Sequence, residues 1–191
     1  MTPAEQARDA LARLGALAQQ VATGQADAVA RLAGLYVRTL RQGGTLFFAG
    51  NGGSAADAQH VAAEYVVRFR ANRRALRAIA LTTDTSLLTA CGNDLGFDEI
   101  FARQVEALAR PGDLLMLHST SGESPNVIRA AQAGKAAGAT VVALLGKGGG
   151  PLRDLVDDCI VVPSDVTSHI QELHLAIEHV ICELVDLELV L

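Results

Sequence analysis

Cysteine is scarce in this sequence, and none of the three residues, Cys91, Cys159 and Cys182, lies at metal-ligand spacing from another. This pattern argues against a disulfide framework or a zinc finger, and we expect three buried thiols. No apolar run approaches the length of a membrane span, and the N-terminus lacks a charged-then-apolar signal pattern. These absences predict a cytoplasmic protein without a membrane partner.

An overall basic surface is also missing, because the formal net charge is -5. Binding to nucleic acid needs a basic face, so no nucleic-acid partner is expected. One short segment is nevertheless rich in arginine. Only Arg68 is expected to serve a site, since it extends a polar helical stripe, and the other four are interpreted as a solvated helix end. The segment contains Arg68, Arg70, Arg73, Arg74 and Arg77.

The chain has 191 residues, half of them apolar, and no internal repeat, so we expect a single domain over residues 1–191. Short apolar runs alternate with segments of helical length from residue 45 onward. This alternation predicts an α/β fold, namely a doubly wound, mostly parallel five-stranded sheet flanked by helices. The predicted strands are residues 45–49, 78–81, 114–118, 140–145 and 159–162.

Helices are predicted at both ends of the chain. Thr2, Pro3 and Glu5 supply an N-cap, a first-turn proline and a capping-box acid for the first helix, and a second is predicted over 27–41. A doubly wound sheet does not require these two helices, so residues 1–43 are expected to contact another subunit. The last helix, predicted over 167–191, is apolar on most sides and should be buried between layers or subunits.

A glycine-rich turn follows the first predicted strand. Gly50, Gly52 and Gly53 allow the backbone to approach a ligand closely. Ser54 is expected to cap the next helix, with Asp57 reaching back to it. A dinucleotide site is disfavoured because no acid follows at the required distance, and the turn lacks the Gly-Lys-Ser/Thr of a P-loop.

The helix after this turn carries a polar stripe of Asp57, His60, Glu64 and Arg68, spaced by three or four residues. His60 and Glu64 lie one turn apart and can point at one metal ion or one substrate atom. Such a pair is more often a solvated salt bridge, by about three to one. Its place in the helix that opens from the glycine turn favours a site.

Polar residues also interrupt the apolar last helix. Gln171 can complete a capping box with Ser168, and a histidine here can be a hydrogen-bonded core residue. Periodicity does not decide which of His174, Glu178 and His179 would join a site.

A hydroxyl-rich loop follows the third predicted strand, and residues 119–124 read Ser-Thr-Ser-Gly-Glu-Ser. Hydroxyls and free backbone N–H groups suit a phosphate or a polyol. Ser124 and Pro125 predict an N-cap and a first-turn proline, so the loop opens onto a helix N-terminus. The negative charge of Glu123 fits a phosphate loop only if its side chain turns outward. Gly148, Gly149 and Gly150 are interpreted as a surface turn without function.

Taken together, five segments resemble the sedoheptulose 7-phosphate isomerases (phosphoheptose isomerases), a family within the sugar-isomerase (SIS) domain superfamily. Their order and spacing match over essentially the whole chain. The segments are residues 50–64, 82–84, 92–94, 119–124 and 170–179.

The resemblance implies a ketose/aldose isomerase that converts D-sedoheptulose 7-phosphate to D-glycero-D-manno-heptose 7-phosphate through a zinc-assisted enediol. This is the first step of ADP- or GDP-heptose biosynthesis, which supplies heptose for lipopolysaccharide, capsule or another glycoconjugate. A homotetramer with sites at subunit interfaces is also implied, with Glu64 and His179 as the acid/base pair. One zinc ion per subunit would be held by His60, Glu64, Gln171 and His179. The implied substrate contacts are Asn51, Gly52, Gly53, Glu64, Arg68, Asn93, Asp94, Ser119, Thr120, Ser121, Ser124 and Gln171.

An alternative from another class is a non-catalytic binding protein on the same fold, similar to relatives that associate with the bacterial replication initiator. Such a protein has no reason to retain all four of the implied zinc ligands, and this chain has all four. A sugar-phosphate-sensing regulator would carry an added DNA-binding domain, and the N-terminal helices have no basic face for one. The sequence therefore favours the enzyme.

Overall fold

A computed structural model of the chain describes residues 1–189, and its centre is one sheet. The strands are β1 (Leu46–Gly50), β2 (Ala78–Ala80), β3 (Leu114–Ser119), β4 (Thr140–Leu145) and β5 (Asp158–Val161). They are arranged in the order β2-β1-β3-β4-β5, and every neighbouring pair is parallel. The predicted fold class is confirmed, with each strand within one residue of its predicted bounds.

Helices cover both faces of the sheet. The apolar residues of α1, α2, α3 and α8 form one core cluster with the sheet, and those of α4 to α7 form the other. The predicted last two residues of α8, 190–191, lie outside the described part of the chain. None of the helices described is long and apolar enough to cross a membrane. The helices are α1 (Pro3–Gly24), α2 (Ala26–Arg41), α3 (Gly53–Val66), α4 (Thr85–Asp94), α5 (Ala102–Leu108), α6 (Pro125–Ala136), α7 (Leu152–Leu155) and α8 (Thr167–Leu189), with a 3₁₀ turn at Phe97–Glu99.

The strand order places β1 and β3 side by side at the centre of the sheet. After β1 the chain runs to β2 at one edge, and after β3 it runs to β4 toward the other edge. In parallel α/β sheets, ligands bind outside the carboxyl ends of the strands at this reversal. The glycine turn after β1 and the hydroxyl loop after β3 therefore meet at the expected ligand position.

The start of α1 agrees with its predicted capping box. The Thr2 N–H donates to the Glu5 carboxylate at 2.7 Å, and the Glu5 N–H donates to the Thr2 hydroxyl at 3.2 Å. Only Leu17 and Val21 of α1 are buried, while Leu11 is 70% exposed. Much of this helix thus has no packing partner in the part of the chain that the structure describes.

The predicted capping of α3 by Ser54 is wrong. Gly52 occupies the N-cap with a φ of 58°, and α3 already begins at Gly53. The left-handed backbone of Gly52 turns the chain into the helix earlier than a serine cap would. Ser54 is therefore buried inside the first turn, and the Asp57 carboxylate has one buried oxygen without a hydrogen-bond partner among the described residues.

The far end of α3 also differs from the prediction. The helix ends at Val66, so Arg68 lies beyond it, exposed, and does not continue the polar stripe. Arg73, expected to be solvated, instead donates to the carbonyl oxygens of Glu64 and Tyr65, both at 2.9 Å. A guanidinium bound to the last carbonyls of α3 satisfies groups that a helix end leaves free.

Arg73 is held by a buried ion pair with Asp186 of α8, at 2.7 Å and with side chains 5% and 8% exposed. The N–H groups of Arg70 and Ala71 also donate to this carboxylate. Burial opposes ionisation of Asp186. The hydrogen bond from Arg73 and the two backbone N–H groups outweigh that effect, so its pKa is lowered from its ordinary value.

Two of the three thiols, Cys91 and Cys182, are buried as expected. Cys159 is only partly covered because it lies on β5, an edge strand.

We predict that Arg73→Ala lowers the free energy of unfolding by about 3–5 kcal/mol, because it leaves a buried carboxylate unpaired. Arg70→Ala is the matched control, since Arg70 pairs with Glu183 at the surface, where the two side chains are 68% and 47% exposed. The control should lower the free energy of unfolding by less than about 1 kcal/mol. Urea unfolding measures both variants, and equal losses would contradict the assigned role of the buried pair.

A second prediction concerns the free energy of unfolding at acid pH. Because the pKa of Asp186 is lowered in the folded state, its carboxylate stabilises the fold fully above the ordinary pKa of ~3.9. This stabilisation is lost as the pH falls through the folded-state pKa. Asp186→Asn should therefore be less stable than the parent chain at pH 7, and the difference should shrink below pH ~4. Urea unfolding from pH 7 to pH 3 tests this, and a constant difference over that range would refute it.

Candidate functional site

Three predicted site residues converge where α3 and α8 run side by side. His60 and Glu64 share one face of α3, and His179 reaches them from α8. The Nε2 atoms of the two imidazoles are 3.0 Å apart, and the His60 Nε2 lies 3.4 Å from a Glu64 oxygen. One ligand atom from each residue lies within 4.8 Å of the other two. We call these three residues the His/Glu cluster.

The His/Glu cluster has the donor chemistry of a metal site. Two imidazole nitrogens and one carboxylate oxygen suit a divalent transition metal, and three protein ligands leave a coordination position for water or substrate. The side chains of His60 and Glu64 are 45% and 23% exposed, so a ligand can reach them. This arrangement could hold a metal ion, and it also places a carboxylate beside an imidazole for proton transfer.

Gln171, the fourth predicted ligand, lies at the other end of the helix pair. Its side chain packs against Gly53, where an added Cβ would lie 2.7 Å from the amide oxygen, and its nitrogen is 3.5 Å from the Ser54 hydroxyl. Eight residues of helix separate it from His179, which corresponds to about 12 Å. Its membership of the metal site stays a prediction.

The structure gives each polar residue of α8 different surroundings. His174 is fully buried, and its Nε2 is 3.0 Å from the Leu145 carbonyl oxygen. Burial, together with the neighbouring His118, lowers the pKa of His174 to about 3, so the ring is neutral and its N–H donates to that carbonyl. His174 is therefore a core histidine, and among the residues left open by periodicity it is His179 that meets His60 and Glu64.

Glu178 belongs to a buried polar network that was not evident from the sequence. Its side chain is 0% exposed and accepts hydrogen bonds from the Tyr36 hydroxyl and the His118 Nε2, both at 3.1 Å. Burial and the adjacent carboxylate raise the pKa of Tyr36 well above its ordinary value, so its hydroxyl remains a donor. The network links α2, β3 and α8 directly behind His179 and Ser119. A glutamate in an apolar helix was its only sequence signal.

The hydroxyl loop, residues 119–124, is ordered by its own side chains. The Ser119 hydroxyl accepts from the Gly122 N–H at 3.0 Å, and the Ser121 hydroxyl accepts from the Glu123 N–H at 3.2 Å. Glu123 is exposed, as a phosphate loop at this position requires. Ser124 and Pro125 occupy the predicted N-cap and first-turn positions of α6, although the Ser124 side chain makes no capping bond.

A small polar cavity of about 60 Å³ joins the hydroxyl loop to the glycine turn. It brings together predicted substrate contacts from the end of β1, the end of β3 and the start of α8. Its lining residues are Asn51, Ser54, His118, Ser119, Thr120, Ser124 and Gln171.

Asn51 is fixed by a partner that sequence reasoning missed. Its amide nitrogen donates to the Asn126 oxygen at 2.8 Å, and the Asn126 nitrogen donates back at 2.9 Å. Asn126 is 1% exposed and stands in the first turn of α6. The paired amides therefore tie the glycine turn after β1 to the helix that follows the hydroxyl loop.

Three predicted substrate contacts do not join this region within the described chain. Asn93 and Asp94 lie exposed at the end of α4, where the Asn93 amide donates to Asp94 at 2.7 Å. Arg68 is exposed beyond the end of α3. None of the hydrogen bonds found within residues 1–189 connects these side chains to the hydroxyl loop or to the His/Glu cluster.

Comparison with known proteins gives consistent matches over most of the chain. Residues 11–146 match the SIS domain family. A phosphoheptose isomerase from Akkermansia muciniphila is 50% identical over 166 residues, which cover 87% of this chain and 86% of that protein. A phosphoheptose isomerase from a Roseiflexus species is 54% identical over 162 residues, covering 85% and 82% respectively.

A solved structure of the phosphoheptose isomerase from Neisseria gonorrhoeae superimposes with a TM-score of 0.92 at 40% identity. The alignment covers 97% of this chain and 99% of that one. Sequence identity and fold therefore agree over nearly the full length described. The chain belongs to the phosphoheptose isomerase family of SIS-domain proteins.

Proposed function

We propose that this protein isomerises D-sedoheptulose 7-phosphate to D-glycero-D-manno-heptose 7-phosphate, as a cytoplasmic enzyme at the first step of ADP- or GDP-heptose biosynthesis. The observation that carries the proposal is the convergence of His60, Glu64 and His179 within 4.8 Å in a member of this family. The hydroxyl loop supplies the second requirement, a place for the phosphate. Together these two features favour an isomerase over a non-catalytic binding protein on the same fold.

The reaction moves a carbonyl group between neighbouring carbons through an enediol. A base must take a proton from the carbon beside the carbonyl, and an acid must protonate the oxygen. Glu64 and His179 serve as this pair, since each can exchange a proton within the cluster.

Zinc fits the donor set of the cluster. The imidazoles of His60 and His179 and the carboxylate of Glu64 would hold it, and we retain Gln171 as a fourth ligand. When bound, zinc supplies Lewis acidity that polarises the carbonyl oxygen and stabilises negative charge.

The hydroxyl loop is proposed to bind the phosphate. Ser119, Thr120, Ser121 and Ser124 offer hydroxyls, and α6 presents its N-terminus to the anion. The backbone at 51–53 allows the sugar to approach closely. The hydroxyl loop and the His/Glu cluster would then hold the two ends of the substrate, the phosphate and the carbonyl.

We further propose a homotetramer with its sites at subunit interfaces. The exposed apolar side of α1, which includes Leu11, supports an intersubunit contact because none of residues 1–189 covers it. Arg68, Asn93 and Asp94 are separated from the cluster, which supports a role for them in the site of a neighbouring copy.

The activity test is heptose 7-phosphate formation from sedoheptulose 7-phosphate. Glu64→Gln should lower kcat by about 10²–10⁴-fold, because the amide can neither accept nor return the proton. Glu106→Gln is the matched control and should keep full activity, since Glu106 pairs with Arg103 at the surface. Full activity in Glu64→Gln would contradict the proposed mechanism. An inactive parent chain, supplied with zinc, that binds another protein tightly would favour the non-catalytic alternative.

The metal proposal has a readout independent of activity. Zinc should raise the thermal midpoint of the parent chain, because a ligand that binds only the folded state stabilises it. His60→Ala should lose most of this increase, whereas His169→Ala, which changes a histidine outside the cluster, should keep it. Differential scanning calorimetry with and without a chelator measures the effect, and equal responses in the two variants would place the metal elsewhere.

A further inference from the structure

The turn that follows β4 had no function assigned from the sequence, yet it packs directly on the hydroxyl loop. Residues 148–150 are three glycines in succession, and all have positive φ. A Cβ added to Gly122 would lie 1.8 Å from the Gly149 carbonyl oxygen. A Cβ added to Gly150 would lie 2.5 Å from the Ser121 carbonyl oxygen. The two loops thus meet backbone to backbone, with no space for a side chain between them.

A hydrogen bond completes this contact. The Leu152 N–H donates to the Gly122 carbonyl oxygen at 3.2 Å. The Gly122 carbonyl is therefore held by Leu152 at the start of α7, and Gly150 packs on the Ser121 carbonyl. The N–H groups of Gly122 and Glu123 are bound within the loop by the Ser119 and Ser121 hydroxyls, so contacts on both sides fix the orientation of these peptides.

The other side of the turn is anchored to the entry of α8. The Lys147 N–H donates to the Ser164 carbonyl oxygen at 3.1 Å, and a Cβ on Gly146 would lie 2.4 Å from the Ile170 side chain. The turn is thus held between the hydroxyl loop and the helix that carries Gln171 and His179. It has little room to shift without moving one of them.

We propose that Gly149 and Gly150 are positioning residues that hold the hydroxyl loop in its phosphate-binding conformation. The inference rests on the proposed assignment of that loop to the phosphate. The glycines themselves do not touch the substrate. The absence of a side chain at Gly150, and at Gly122 opposite the Gly149 carbonyl, allows the backbone of one loop to fix the peptide orientation of the other, as preorganised binding of an anion requires.

The chain contains a closely matched control for this proposal. Gly148 has a φ of 82° and Gly150 a φ of 54°, so alanine at either position takes on the cost of a left-handed backbone. A Cβ on Gly148, however, would meet nothing within 4 Å, whereas one on Gly150 presses on Ser121. Only Gly150→Ala therefore pushes on the hydroxyl loop.

We expect Gly150→Ala to raise the dissociation constant of inorganic phosphate and the KM for sedoheptulose 7-phosphate by at least about tenfold, with a smaller change in kcat. Gly148→Ala should leave both constants within about twofold of the parent values. Calorimetric titration with inorganic phosphate gives the first constant without any turnover. Equal effects of the two variants, or none from Gly150→Ala, would overturn the proposal.

A measurement on the parent chain covers the case in which Gly150→Ala does not fold. Titration with inorganic phosphate should shift the backbone amide resonances of Gly150 and Leu152 together with those of residues 119–124, and leave Gly148 unchanged. Shifts confined to the hydroxyl loop, or no shifts in either loop, would overturn the proposal. If phosphate binding responds as expected but the parent chain does not isomerise the sugar, the proposed function fails and the positioning role stands.

Discussion

The axial register between α3 and α8 is the constraint on which the rest of the site depends. At one end, Gly53 lets the Gln171 side chain press against the start of α3. At the other end, Asp186 binds Arg73 and the backbone just beyond α3. Between these two contacts, His179 arrives 3.0 Å from His60. A shift by one residue would move the imidazoles apart by about 1.5 Å and rotate them from a common face.

Buried polar contacts hold α8 both against the end of α3 and against α2 and β3. Arg73 with Asp186, and Glu178 with Tyr36 and His118, remove charged or hydrogen-bonding groups from water. Such groups add less to stability than well-packed apolar side chains would, but they have directional requirements that only one arrangement satisfies. Apolar packing allows two helices to slide, whereas a buried carboxylate with fixed donors opposes sliding. The site thus uses directional contacts where position matters most.

Sequence periodicity was sufficient for the sheet and most helices, because burial on two faces of a parallel sheet leaves a local pattern of apolar runs. It was also sufficient for the pair of His60 and Glu64, which depends only on the pitch of one helix. It failed at the ends of α3. The N-cap is decided by the left-handed backbone of Gly52, and the C-terminus by Arg73, whose partner Asp186 lies 113 residues further along the chain.

By itself, the sequence determined the fold class, the strands, the glycine turn, the hydroxyl loop and the candidates for the site, since each of these follows from local spacing and residue chemistry. Periodicity left His174, Glu178 and His179 open and the family resemblance implied His179, which the tertiary structure places beside His60 and Glu64. The tertiary structure alone showed that Asn126 holds Asn51 and that the glycine turn after β4 packs on the hydroxyl loop. The physical reason is the same in each case. These contacts join segments far apart in the chain, and their geometry depends on helix register and backbone approach, which no local pattern records.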